Sequence, residues 1–432
     1  MTDITIMNQT IQQYRDYVMT GFVKAVQPVV VERAQGATIT DIEGKEYIDC
    51  FAGISVVNTG HCNPEVIEAA KAQLDKLVHC GSYIYYSQPT AELAEKLAHV
   101  TPGRIRKSFF CNSGAEAIEG ALRLARIYTG KQEFIALQTG FHGRTWGALS
   151  ITGNSGRKRR GAPYAPGVSF VPAPDHFRAC TSRSPEEFAH DCARSLRDTL
   201  RFASSMDVAA MIVEPILGEG GIIVPPLNYF SEIKSVLDEH KILLIVDEVQ
   251  SGFARSGKMF AIEYFGVEPD ILVMAKGIAA GFPLGAITTR DEIAEAFRPG
   301  DHLSTFGGNP VCCAAALANI NFIERTNLCA QVQEKEKYLR GRLKALQQRF
   351  PLIGDVRGLG LMMGLELVKD ADLTPAVAEA ERVRELCLSK GVLIGVGGAL
   401  GNVVRIQPPL VITSEQLQSV VNALESAFAK LV

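Results

Sequence analysis

No apolar run in this 432-residue chain approaches the ~20 residues needed to cross a bilayer. Charge of one sign is not in excess either. Forty-four Lys and Arg against 47 Asp and Glu leave a formal net charge of -3. That removes the electrostatic case for nucleic acid or an anionic membrane surface as partner. The ten cysteines form no C-x-x-C pair and no Cys/His cluster at zinc spacing, so no metal site is expected. Several, such as Cys111, sit in apolar runs like small core residues, which suits a reducing compartment. The first twenty residues lack an apolar h-region and an Arg/Ser-rich transit character. A cytoplasmic protein is expected. Low-complexity linkers and internal repeats are also missing. The one basic run, Arg157 to Arg160, lies between Gly156 and Gly161 and reads as a solvated loop.

What is present is an ordinary globular composition, 47% hydrophobic and 21% charged, in a chain long enough for two or three domains. Short continuous apolar runs recur through the middle: SFFCN, EFIALQ, VAAMIVEP, ILLIVDE, DILVMAKG and LGAITT. Continuous runs indicate strands buried on both faces, and their alternation with helical stretches implies an α/β fold with a mostly parallel sheet covered by helices. Before residue 65 the pattern is an irregular lead-in with a hairpin turning at Glu43-Gly44. From about 326 the pattern changes to long amphipathic helices, LGLMMGLEL and NVVRIQPPLVI. A final helix opens on a capping box of Thr413 and Gln416. The expected division is 1–65, a large unit 66–325, and a smaller α+β unit 326–432.

In such sheets ligands bind beyond the carboxyl ends of the strands. Five groups fall there: Asn112-Ser113-Gly114-Ala115, then Gly140 to Arg144, Glu214, Asp247-Glu248, and Lys276. The first opens a helix, so its amides and dipole suit an anion, while Asn112 or Ser113 as a plain N-cap remains open. Asp247 precedes Lys276 by about one βαβ unit, so the two are expected side by side. They could form a structural ion pair. They could also serve pyridoxal phosphate, with the lysine as imine former, the aspartate on the pyridine nitrogen and a phosphate cup nearby.

From about Gly36 onward the chain resembles the class III, fold-type I pyridoxal-phosphate aminotransferases. This is the group of 4-aminobutyrate, ornithine and acetylornithine aminotransferases. The marks are NTGHCNPEV, FFCNSGAEAIEGALRLAR, FHGRTWGALS, VEPILGEGG, LLIVDEVQSGFARSGKMFA, PDILVMAKGIAAGFPLGA and STFGGNPVCCAAALA. The resemblance implies Lys276 as Schiff-base lysine and catalytic base. It implies Asp247 on the pyridine nitrogen, Val249 and Phe141 on the two ring faces, and Gln250 near the ring hydroxyl. Ser113, Gly114 and Ala115 would receive the phosphate. Thr305 would reach the phosphate of a neighbouring subunit, which implies a homodimer with shared sites. His142 reads as structural.

For substrates the resemblance implies Arg144 and Arg405 as carboxylate partners, Glu219 as a switch on Arg405, and Ile54 as an apolar wall. Glu214 joins them as a strand-end carboxylate. The first expectation is transfer from a 4-aminobutyrate-like ω-amino acid to 2-oxoglutarate or pyruvate by a ping-pong route. Leu217, where the 4-aminobutyrate pattern often has glutamine, counts against that donor. Ornithine or acetylornithine transamination comes second, and an amino-acid racemase or epimerase third.

Overall fold

A computed structural model describes residues 3–21, 23, 26–179 and 181–431. Its strands fall into two seven-stranded mixed sheets. Those of the lead-in are β1 (Val31–Gln35), β2 (Thr38–Asp41) and β3 (Glu46–Cys50). The middle of the chain supplies β4 (Lys107–Cys111), β5 (Glu133–Leu137), β6 (Val168–Val171), β7 (Val208–Val213), β8 (Leu243–Asp247), β9 (Ile271–Met274) and β10 (Gly285–Thr289). Last come β11 (Ile353–Leu359), β12 (Met362–Leu367), β13 (Val392–Gly397) and β14 (Val403–Ile406).

The middle strands form one sheet in the order β4-β10-β9-β8-β7-β5-β6. Only β10 runs against its neighbours β4 and β9; the rest are parallel. Every residue of β7, β8 and β9 is buried, as the continuous apolar runs require. Their side chains alternate between two cores. Ile212, Ile245 and Val273 pack with Ala117, Ile118 and Ala121 of the helix Gly114–Thr129. Met211, Leu244 and Leu272 face the other way, toward Leu196, Phe230 and Ile233. The edge strand β6 was not expected from the sequence, since its four residues VSFV are too short to stand out from their surroundings.

The second sheet runs β1-β2-β3-β13-β14-β12-β11. The parallel pairing of β3 with β13 attaches the N-terminal hairpin to the C-terminal strands, giving the smaller α+β layer. Thr413 and Gln416 make the expected capping box at the start of the last helix. No helix among the described residues is long and apolar enough to cross a membrane.

The fully buried Arg255 stitches the two parts together. Its guanidinium donates to the carbonyls of Leu361 (3.0 Å) and Pro408 (2.5 Å) and to Asn58 Oδ1 (2.7 Å). Among the described residues no carboxylate pairs with it directly, and burial pulls its pKa down to about 9 against the weaker upward pull of Asp49. Three acceptors along the guanidinium edge offset part of that desolvation.

Candidate active site

The carboxyl ends of β7, β8 and β9 lie in register, with Val213 opposite Val246 and Asp247 opposite Val273. The next residues on the helix-covered face therefore converge. They are Glu214, Asp247 and, after one more turn of chain, Lys276. With Gly114, Ala115, Phe141, His142, Gly143, Glu219, Val249 and Gln250 they line a cavity of about 160 Å³.

Lys276 sits in the left-handed region at φ 48°, an uncommon conformation for a residue with a side chain, held here by the short turn Lys276–Ile278. Burial draws its ammonium pKa down, against the upward pull of Glu219, Asp247 and Glu214. Asp247 is 4% exposed and doubly held. Its Oδ1 accepts from the Val249 amide at 3.0 Å, and its Oδ2 lies 2.7 Å from His142 Nδ1. His142 is the residue that sequence reasoning missed. It was read as structural, yet it is buried against the site's aspartate, and its Nε2 is buried with no partner.

Glu214 also lines the cavity, but both its oxygens are engaged. The amides of Phe141 and Gly218 donate to it at 2.9 Å each. It braces the aromatic loop and the turn Gly218–Gly221 rather than offering a free face to substrate. Burial and the nearby Asp247 raise its pKa to about 7, opposed by His142 and the two amides.

The anion end is the start of the helix Gly114–Thr129. Ser113 is its N-cap, accepting from the Glu116 amide at 3.2 Å. This leaves the Gly114 and Ala115 amides as orphan first-turn donors at the cavity wall. A Cβ on Gly114 would come within 3.0 Å of Val249 Cγ1, so only glycine leaves the slot open there. Two glycines after Lys276 are required by the chain itself. A Cβ on Gly277 would meet Asn58 Nδ2 at 2.5 Å, and one on Gly285 would meet the Ser113 carbonyl at 2.4 Å. They admit neighbouring chain, not the cavity's contents.

At the rim, Glu219 Oε1 accepts from Arg405 Nη1 at 2.6 Å. Burial pushes the Glu219 carboxyl up, but Arg405, Lys276 and Arg157 hold it below its ordinary range. Arg157 reaches Glu219 Oε2 at 3.3 Å, so the basic run is not wholly a solvated loop. Leu217 is fully buried and exchanges backbone hydrogen bonds with Ile223. Ile54, Arg144 and Thr305 are exposed and lie outside the cavity of the single chain, with the Arg144 guanidinium 5.6 Å from the Phe141 ring. Thr305 opens on a separate groove with Asn112 and Ser304.

A basic residue and an acid at adjacent parallel strand ends, facing a slot that closes on a helix start, are the arrangement a pyridoxal-phosphate enzyme needs. The family model for class III aminotransferases matches residues 22–428, and the chain belongs to that family. It is 44% identical to an acetylornithine aminotransferase of Methanosarcina mazei over 93% of this chain and 92% of that one. It is 40% identical to a leucine/methionine racemase of Thermococcus litoralis, over 93% and 91%. A probable 4-aminobutyrate aminotransferase of Bacillus subtilis is 35% identical over 98% of both chains. Among solved structures, a Bacillus anthracis aminotransferase superposes with a TM-score of 0.93 at 33% identity, covering 99% of each chain. The relatives thus favour the acetylornithine alternative over the 4-aminobutyrate expectation. The slot, the orphan amides and the doubly held Asp247 fit the cofactor, pyridoxal phosphate.

Proposed function

We propose that this aminotransferase moves the terminal amino group of an acetylornithine- or ornithine-like donor onto a 2-oxo acid, 2-oxoglutarate or pyruvate. The observation carrying this reading is the Arg405–Glu219 pair at the rim of the lysine cavity. A terminal amine has no carboxylate beside its reacting carbon, so Glu219 can stay on Arg405 while the donor enters. A 2-oxo acid carries a carboxylate next to the reacting carbon. It displaces Glu219 and takes Arg405, whose planar fork suits bidentate pairing. An enzyme handling only α-amino acids would have no use for such a switch.

When bound, pyridoxal phosphate supplies an aldehyde for the amine and a ring that accepts the electron pair released at the donor carbon. Lys276 Nζ takes up that proton and returns it, which its lowered pKa favours. Asp247, oriented by His142 and the Val249 amide, would hold the ring nitrogen. The Gly114 and Ala115 amides would receive the phosphate, and Phe141 and Val249 wall the slot. Gln250 completes it beside Gly218, where a Cβ would overlap its amide. Ile54 and Arg144 are assigned to the donor's far end.

Thr305 is assigned to the cofactor phosphate of a second copy. It lies beside the exposed Leu303 and Phe306 and apart from its own chain's cavity, which supports a homodimer with shared sites. The cysteines among the described residues are all free, which suits the cytoplasm. The test is a screen of acetylornithine, ornithine and 4-aminobutyrate against both acceptors, with Lys276→Ala as the inactive control. The acetylated or free diamino acid should lead. A clear preference for 4-aminobutyrate would return the other donor. Exchange of an amino acid's α-hydrogen with inversion, in the absence of keto acid, would make the enzyme a racemase.

A further inference from the structure

Glu219 divides its two carboxylate oxygens between two arginines of unlike character. Oε1 faces Arg405, and Oε2 faces Arg157. Among the described residues these are its salt-bridge partners. Arg405 cannot follow Glu219 outward. Its side chain is 6% exposed, and it stands on β14 between Gly364 and Gly395. Its guanidinium lies against Gly397, where a Cβ would be 3.0 Å from Cζ. The backbone carrying Glu219 is also fixed, because Arg357 Nη2 donates to the Gly221 carbonyl at 2.7 Å. Any displacement of the carboxylate is therefore a rotation of the Glu219 side chain. Arg157, at 40% exposure on the three-residue turn Ser155–Arg157, lies on the outer side of that rotation.

We propose that Arg157 is a positioning residue for acceptor binding, the outer partner that holds Glu219 once a 2-oxo acid's carboxylate occupies Arg405. The inference rests on the switch reading above. With the acceptor in place, two carboxylates would compete for one buried guanidinium, and like charges at that distance repel. Arg157 supplies a second cation on the side away from the reacting carbon. It also shares Glu219 in the resting state, which weakens the grip of Glu219 on Arg405. Both effects favour the acceptor, and neither touches a terminal-amine donor.

The experiment uses the holoenzyme. In Arg157→Gln, KM for 2-oxoglutarate should rise roughly two- to fivefold, the range of partly exposed ion pairs, while the amine half-reaction without acceptor keeps its rate. Glutarate, an unreactive dicarboxylate, should bind more weakly by a similar factor in calorimetry. The difference from wild type should shrink with added salt. Arg157→Lys should restore most of the loss. In a Glu219→Gln background the Arg157→Gln change should do nothing, because Arg157 acts through Glu219. Equal losses in both half-reactions, unaltered glutarate affinity, or the same loss in the Glu219→Gln background would overturn the proposal. Glu219→Gln by itself separates the two readings. If it fails to distinguish acceptor from donor, the switch falls and Arg157 with it. If it does distinguish them and Arg157→Gln does not, only the role of Arg157 falls.

Discussion

Glu248 adjoins Asp247 in sequence but points into the opposite layer, and replacing it by glutamine tests how that layer stores a carboxyl group. The side chain is fully buried. Its oxygens accept from Ser251 Oγ at 2.6 Å and from the Ile262 amide at 2.7 Å. Burial dominates and pushes its pKa from 4.5 to about 7, with these hydrogen bonds opposing. The folded pKa lies above the unfolded one, so the folded chain holds the proton more tightly. The resulting stability is fully present below about pH 4.5 and is lost as pH rises through about 7. A separation of roughly 2.5 units at ~1.4 kcal/mol each makes the ionised group cost about 3 kcal/mol relative to a neutral one. In Glu248→Gln the amide oxygen still accepts from Ile262, and the amide nitrogen donates to Ser251. The variant should match wild type in denaturant unfolding near pH 4 and exceed it by about 3 kcal/mol near pH 8. A stability difference that is the same at both pH values, or a variant less stable at the higher one, would refute the reasoning.

Two further substitutions probe the cavity. Gly285→Ala drives a Cβ into the Ser113 carbonyl and onto Cys111 Sγ, so the helix start must shift. Strain of ~1–3 kcal/mol predicts roughly tenfold or greater loss of pyridoxal-phosphate affinity by equilibrium dialysis, and an unchanged value would remove the phosphate assignment from that turn. His142→Phe leaves Asp247 buried with one amide partner. Leaving a buried carboxylate oxygen without its donor costs about 1–3 kcal/mol, so the cofactor-free protein's melting temperature should fall by a few degrees; a shift of under a degree would mean the imidazole does not support the aspartate.

Much of this was legible because burial leaves a linear trace. The runs that became β4, β5 and β7 to β10 stand out as unbroken apolar stretches, and Asp247 and Lys276 stand out as charges at their ends. The small sheet was legible at Glu43-Gly44 and in the C-terminal runs. Direction was not: nothing in LGAITT says that β10 runs against its neighbours, since an apolar run buries equally well either way. Nor was the partner of a polar group legible. Arg157 belongs to a four-residue basic run that reads as solvated, and only the path of the Ser155–Arg157 turn brings it to Glu219. Arg255 carries no mark of burial in SGFARSGK, yet it is fully buried, where three oxygens from distant segments meet it. His142 is one residue from an expected site residue, and the register of β5 on β7 and of β7 on β8 brings its Nδ1 to Asp247.

That register is also what turns a sheet into a site. In β7, β8 and β9 the residues facing the helix Gly114–Thr129 are Ile212, Ile245 and Val273, and two positions further on come Glu214, Asp247 and Ala275. A Cβ on Gly114 would sit 3.6 Å from that of Ala275, which fixes Ala275 on the same face. The strand period of two thus carries the apolar face straight into the cavity wall. The same helix covers the face and ends at its N-terminus beside it, so the anion-binding amides and the carboxylates share one layer without any loop having to cross the sheet. Glu248, one residue out of phase, falls in the other layer and becomes part of the fold. A carboxylate in a strand-end motif therefore belongs to the chemistry or to the core according to parity alone. Moving the pairing of β8 by one residue would exchange the roles of Asp247 and Glu248 while leaving the motif unchanged.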